Sequence, residues 1–132
     1  MVIVDTSIWV DFLKGRESAG ATHLEQLLDD EVDVFTSGII VQELLTGIKE
    51  KKTRNEVKKD LGLFITVMPS LGTHVQAAEI YDGCRKKGIT IRSIVDCLIA
   101  ALAIEYDLTV LQSDRDYVGI SQVYPLKLET YE

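Results

Sequence analysis

The feature that most constrains this chain is its first segment, a short apolar stretch that ends abruptly in a carboxylate. Residues 2–4 read Val-Ile-Val, and Asp5, Thr6 and Ser7 follow at once. A strand this apolar is most stable when both of its faces are covered, as in a parallel sheet flanked by helices. In such sheets ligands collect outside the carboxyl ends of the strands, where Asp5 would lie. The alternative is that this polar segment only caps the following helix.

The rest of the chain alternates strand-like apolar stretches with helical patterns. The predicted strands lie at residues 1–4, 32–35, 64–67, 108–111 and 123–128. The predicted helices lie at residues 7–14, 19–30, 39–48, 73–87 and 93–104. Strands separated by helices predict an α/β three-layer sandwich with a central, mainly parallel sheet of about five strands. At 132 residues, positions 1–132 are expected to form a single domain.

Composition and charge exclude several classes of protein. The 21 acidic residues outnumber the 14 basic ones, and the net charge of −7 disfavours attraction to nucleic acid over the whole surface. Basic residues are concentrated at 49–59, which is either a solvated helix face with a turn or a contact surface. No apolar run reaches the roughly 18 residues of a membrane span, so a cytoplasmic protein is expected. Cys84 and Cys97 lack metal-type spacing and are predicted to be reduced thiols.

Glu43 occupies an unusual place on its predicted helix. Its neighbours three and four residues away include Ile39 and Ile40, so its carboxylate lies on a mainly apolar face. An unpaired buried carboxylate is costly. Glu43 is therefore expected at the edge of the core, either in a salt bridge or at a metal.

Three further acids have both a structural and a functional interpretation. Asp96 and Asp116 each stand three residues after a serine, which is the spacing of a helix capping box. Asp114 follows the fourth predicted strand by a few residues, much as Asp5 ends the first. If these two strands are neighbours in the sheet, Asp5 and Asp114 reach the same edge.

Four carboxylates would then share one pocket, namely Asp5, Glu43, Asp96 and Asp114. Two unit charges about 4 Å apart repel by roughly 4 kcal/mol at an effective dielectric constant near 20, so without cations the cluster would be strained or partly protonated, and a divalent metal is the simplest remedy. An all-oxygen set without His or Cys favours Mg²⁺ or Mn²⁺ over zinc. Such a metal activates a water for attack on phosphorus, and the pattern therefore predicts phosphodiester hydrolysis.

With these residues in place, the chain resembles the PIN-domain ribonucleases and, among them, the VapC-type toxins of type II toxin–antitoxin pairs. The resemblance extends over essentially the whole length. It is carried by Val4-Asp5-Thr6-Ser7, Gln42-Glu43-Leu44-Leu45, Ile94-Val95-Asp96 and Ser113-Asp114-Arg115-Asp116-Tyr117. It implies a Mg²⁺- or Mn²⁺-dependent endoribonuclease that forms a homodimer and is inhibited by a VapB-type antitoxin, whose tail occupies the acidic groove.

The resemblance also implies roles for individual residues. The implied metal ligands are Asp5, Glu43, Asp96 and Asp114, with Asp116 as an additional or substitute ligand. Either Thr6 or Ser7 supplies a hydroxyl group at a secondary position beside the metal. Arg92 and Arg115 lie beside the carboxylates and are hypothesised to hold RNA phosphates or acidic groups of the antitoxin. The motif commonly ends in Phe, and Tyr117 is expected to leave the carboxylates untouched.

Three alternatives belong to other classes of protein. A phosphoacceptor signalling domain would place an acid at the end of the third strand, where Val67-Met68-Pro69 has none. A haloacid-dehalogenase-like phosphatase would have a second Asp at position 7, which is Ser7. In a non-catalytic nucleic-acid or protein binding module, the acids would be helix caps and residues 49–59 the contact surface.

Overall fold

A five-stranded sheet forms the centre of the molecule. The computed structural model describes residues 1–131. Its strands are β1 Val2–Val4, β2 Val34–Ser37, β3 Ile65–Val67, β4 Thr109–Leu111 and β5 Lys127–Leu128. Their order across the sheet is β3-β2-β1-β4-β5, and every neighbouring pair is parallel. The predicted α/β class with a central parallel sheet is confirmed.

Helices connect the strands of the sheet. They are α1 Thr6–Leu13, α2 Ala19–Asp29, α3 Gly38–Thr46, α4 Lys51–Leu61, α5 Leu71–Lys86, α6 Ile94–Glu105 and α7 Arg115–Ser121. Within residues 1–131, none of these helices has the length and apolar character that crossing a bilayer requires. The basic residues 49–59 fall largely on α4, whose Val57 and Leu61 are buried and whose lysines are exposed.

Strand β1 lies in the middle of the sheet, which explains its uninterrupted apolar sequence. Val2, Ile3 and Val4 are all buried, because helices cover both faces of the sheet. β1 pairs with β2 on one side and with β4 on the other, and the register places Val4 opposite Leu111. The expected proximity of the first and fourth strands is therefore present, and the segments that follow them leave the sheet together.

Several element boundaries differ from the sequence-based expectation. Thr36 and Ser37 lie beyond the predicted strand at residues 32–35, but they belong to β2, where they pair with Thr66 and Val67 of β3. A parallel strand buried on both faces does not show the alternation used to place it. The short helix α7 was not among the predicted helices, although the capping-box spacing of Ser113 and Asp116 indicated a helix start close to its first residue. Cys84 and Cys97 are free and buried, as expected.

Candidate metal centre

Three carboxylates converge at the carboxyl edge of the sheet. Asp96 lies in the first turn of α6, Asp114 precedes α7, and Asp116 lies in the first turn of α7. One oxygen from each of these three side chains lies within 4.8 Å of the others. Asp96 and Asp116 are buried, with 8% and 2% of their surface exposed, whereas Asp114 is half-buried. This is a compact acidic cluster with one side open to solvent.

Asp5 joins this cluster through a residue that sequence reasoning did not assign to the site. The Tyr117 hydroxyl donates to Asp5 Oδ1 at 2.8 Å and lies 3.2 Å from Asp96 Oδ1. Tyr117 is completely buried, and Asp5 is only 7% exposed. The expectation that Tyr117 leaves the carboxylates untouched is wrong, because α7 turns its ring into the space between the two acids. The available sequence signal was a hydroxyl-bearing ring where the motif commonly has Phe.

Asp116 is held by the backbone that leads into α6. The Arg92 amide donates to both oxygens of Asp116, at 3.2 and 3.1 Å, and the Ser93 amide donates to Oδ2 at 3.1 Å. These bonds satisfy amide groups just before the helix that carries Asp96. Asp116 therefore fixes the start of α6 relative to α7, which is a structural task beside any contact with a metal.

Asp114 accepts hydrogen bonds from an arginine side chain and from a backbone amide in the first turn of α7. Its Oδ1 accepts from the Asp116 amide at 2.9 Å and from Arg92 Nη2 at 3.1 Å. Arg92 Nε also lies 3.7 Å from Asp116 Oδ1. The Arg92 side chain remains 54% exposed, so one guanidinium both offsets acidic charge and faces solvent. Arg115 is exposed in the first turn of α7.

Glu43 lies at the margin of the site. It is exposed on α3, whose buried side is formed by Ile40 and Leu44. Its Oε1 accepts a 2.7 Å hydrogen bond from Thr6. Within residues 1–131 no salt bridge to Glu43 is formed, so that alternative is not realised. The Thr6 contact ties Glu43 to the residue next to Asp5.

The helix-capping alternatives are not realised as the sequence suggested. Asp5 occupies the N-cap position of α1 without a side-chain capping bond, and the Ser7 hydroxyl donates to Asp5 Oδ2 at 3.0 Å. Ser93 makes no capping bond at α6, and α7 is capped by Asp114 instead of Ser113. The Ser7 hydroxyl therefore bonds the carboxylate two residues before it, and the Ser113 hydroxyl lies 3.2 Å from that of Ser7.

The electrostatics of Asp96 follow from its position. Burial is the main cause that raises its pKa to about 8, and Asp116, Asp5 and Asp114 add to the shift. Burial beside the Asp5 and Asp96 carboxylates also raises the pKa of Tyr117. In the absence of a cation, Asp96 therefore holds a proton over most of the neutral range.

The residues present fit a hard divalent cation. Among residues 1–131, Asp96 Oδ2 is buried and has no hydrogen-bond partner, which is costly for a carboxylate unless a proton or a cation occupies that position. The donors around it are carboxylate oxygens, the ligands that Mg²⁺ and Mn²⁺ prefer. Tyr117 and the backbone amides of residues 92 and 93 hold the acids in place from outside.

Fold and site together define a class, an α/β protein with a carboxylate cluster at the carboxyl edge of a parallel sheet. A family model described as PIN domain matches residues 2–123. Ribonuclease VapC11 of Mycobacterium tuberculosis is 31% identical over an alignment of 137 positions that covers 99% of each chain. A VapC ribonuclease of Mycobacterium bovis shows the same identity and coverage.

Solved structures show the same fold. A structure of VapBC2 from Rickettsia felis, bound to a DNA fragment of its promoter, has a TM-score of 0.75 at 23% identity and covers all of both chains. FitAcB from Neisseria gonorrhoeae has a TM-score of 0.75 at 22% identity, over 98% of this chain and 97% of that one. The chain therefore belongs to the PIN domain family, within the group of the VapC ribonucleases, as predicted.

Proposed function

We propose that this protein is a Mg²⁺- or Mn²⁺-dependent endoribonuclease that acts as the toxin of a toxin–antitoxin pair. The observation that carries the proposal is the buried, unpartnered Asp96 Oδ2 inside a cluster of carboxylates. Its relatives named ribonuclease, at 31% identity over the full chain, supply the substrate class.

The proposed ligands are Asp5, Asp96 and Asp114, with Asp116 and Glu43 beside them. The cation, when bound, would polarise the scissile phosphate, lower the pKa of water and offset charge on the leaving oxygen. Ser7 holds one oxygen of Asp5, and Tyr117 holds the other. Thr6 orients Glu43 at the solvent side, where this carboxylate is free to accept a proton or meet the substrate. The carboxylates are thus held in position by hydroxyl and amide donors.

Arg92 is proposed to contact an RNA phosphate, because its guanidinium is half exposed beside the acidic cluster. Arg92→Ala is expected to weaken RNA binding and to reduce the slope of log affinity against log salt by about one unit. Filter binding over a salt series, with the catalytic metal replaced by Ca²⁺, measures this slope. Arg85→Ala, which removes an exposed arginine paired with Asp82 elsewhere, is the control. An unchanged slope for Arg92→Ala would remove Arg92 from the RNA site.

An apolar groove next to Glu43 supports the proposed antitoxin partner. The groove encloses about 270 Å³ between α1, α3 and α4. Its apolar lining includes Val10, Leu13, Leu44, Ile48 and Val57. An amphipathic antitoxin segment bound in this groove would end beside Glu43 and would then reach the carboxylates.

Arg115, exposed on α7, is proposed as a second contact for acidic groups of the RNA or antitoxin.

A second apolar surface supports the proposed homodimer. Ile94 is 73% exposed, and it borders a cavity of about 360 Å³ between α5 and α6. Exposed apolar surface of this kind is typical of protein interfaces. Sedimentation equilibrium tests this proposal, and a monomeric mass at micromolar concentration would contradict it.

We also propose a cytoplasmic location.

The decisive test of the proposed function is metal-dependent cleavage of RNA. The purified protein is incubated with transfer, ribosomal and messenger RNA in Mg²⁺ or Mn²⁺, and again after EDTA treatment. Cleavage products are expected with either metal and not with EDTA, and activity should return when metal is added back. Cleavage that persists in EDTA would contradict the metal mechanism. Absence of cleavage on every RNA, in protein that binds Mn²⁺, would favour a binding module.

A further inference from the structure

The Tyr117 hydroxyl is in contact with both of the buried carboxylates that face each other across the site. It lies 2.8 Å from Asp5 Oδ1 and 3.2 Å from Asp96 Oδ1. A single phenolic proton serves both acceptors, and Tyr117 is fully buried, so no solvent competes for it. The phenol is therefore a fixed bridge between strand β1 and helix α6.

The bridge engages one oxygen of each acid and leaves the other oxygen for a different partner. In the described part of the chain, the buried Asp96 Oδ2 has no hydrogen-bond partner, and Asp5 Oδ2 accepts from the exposed Ser7 hydroxyl. Without the phenol, neither carboxyl group would be held by this bond, and both side chains could rotate about their terminal torsions. The hydroxyl thus selects one orientation of the Asp5 and Asp96 side chains.

We infer that Tyr117 is a positioning residue whose hydroxyl sets the orientation of Asp5 and Asp96 for the divalent cation. This inference rests on the proposed metal-dependent function. Outer partners that orient ligands typically change metal affinity by about 10- to 100-fold when they are removed. A change of this size is expected here, since one hydroxyl positions two ligands.

The test is direct Mn²⁺ binding to the Tyr117→Phe variant. Metal-free protein is titrated with Mn²⁺ and free Mn²⁺ is followed by electron paramagnetic resonance, so that no RNA and no turnover are needed. The dissociation constant is expected to rise by about 10- to 100-fold. The thermal midpoint of the metal-free variant reports folding, and Phe fills the same buried volume.

A matched control removes a phenolic hydroxyl elsewhere. Tyr124 donates to the Glu79 carbonyl at 3.0 Å and contacts no carboxylate of the site. Tyr124→Phe should therefore leave Mn²⁺ affinity unchanged. A second measurement follows RNA cleavage against metal concentration. For Tyr117→Phe the metal requirement should rise and saturating Mn²⁺ should restore most of the rate, which a general packing defect would not produce.

The outcomes separate this inference from the function on which it rests. If the unmodified protein binds no Mn²⁺, the proposed function fails first. If it binds Mn²⁺ and Tyr117→Phe binds it equally well or more tightly, the positioning role of Tyr117 is wrong while the metal site stands. A loss of affinity shared by Tyr124→Phe would likewise overturn the inference.

Discussion

Asp96→Asn is expected to reduce RNA cleavage by about a thousandfold while the protein remains folded. Asp96 contributes the buried oxygen without a partner, and the amide of Asn is a neutral, weaker ligand at the same place. A bound metal supplies several kcal/mol of transition-state stabilisation, and about 1.4 kcal/mol corresponds to a tenfold change in rate. Asp5→Asn should act in the same direction, because Asp5 shares the Tyr117 bridge.

The measurement compares initial rates of RNA cleavage at saturating Mg²⁺ and the thermal midpoints of the metal-free proteins. Asp29→Asn is the matched control, because this exposed residue ends α2 just before β2 begins, at the opposite edge of the sheet. It should retain full activity. Metal-dependent cleavage within tenfold of the unmodified rate, for both Asp96→Asn and Asp5→Asn, would rule out the carboxylate site.

Ionisation of Asp96 is expected to reduce the stability of the metal-free protein, relative to a variant that cannot ionise at this position, as the pH rises from about 4 to about 8. Asp96 has a pKa of about 8 in the folded protein, mainly because it is buried, whereas an unfolded Asp titrates near 4. Between these values the folded state binds a proton that the unfolded state has released. The free energy of unfolding should therefore fall by up to about 1.4 kcal/mol per pH unit from this residue.

Bound metal and the substitution Asp96→Asn should each remove the contribution of Asp96 to the pH dependence of stability. Mg²⁺ or Mn²⁺ takes the position of the proton, so saturating metal should stabilise the protein most strongly near pH 8. Asn at position 96 cannot ionise, so Asp96→Asn in EDTA should be more stable than the unmodified protein at pH 8 and similar to it at pH 4. Urea unfolding at a series of pH values measures this. If the free energy of unfolding changed with pH in the same way for the unmodified protein and for Asp96→Asn, the assignment of a protonated Asp96 would be wrong.

Much of the fold and part of the site followed from sequence patterns. The apolar Val2–Val4 segment predicted a strand covered on both faces, and the alternation of strands and helices predicted a parallel sheet. Because parallel strands end at one edge, Asp5 and Asp114 could be expected to lie close together from their positions after two strands. These conclusions depend on periodicity and on strand direction, which are local properties of the chain.

Other features of the site depend on how the helices are docked. The exposure of Glu43 depends on which side of α3 faces the core, and the apolar neighbours Ile39 and Ile40 had indicated a mainly apolar face instead. The three hydrogen bonds from the residue 92 and 93 backbone to Asp116 join segments more than 20 residues apart. No spacing in the sequence predicts such a contact, so the capping-box interpretation was the local alternative.

The sequence by itself determined the class of fold, the family and the edge of the sheet at which the acids gather. Only the tertiary structure decided which donors hold the oxygens of Asp5 and which oxygen of Asp96 has no partner within residues 1–131, because both depend on the Tyr117 ring that α7 inserts between these acids. The physical reason is the distance along the sequence over which each feature is determined. Strand and helix patterns arise from neighbours within a few residues, whereas the rotation of a carboxylate is decided by donors that arrive from distant parts of the chain.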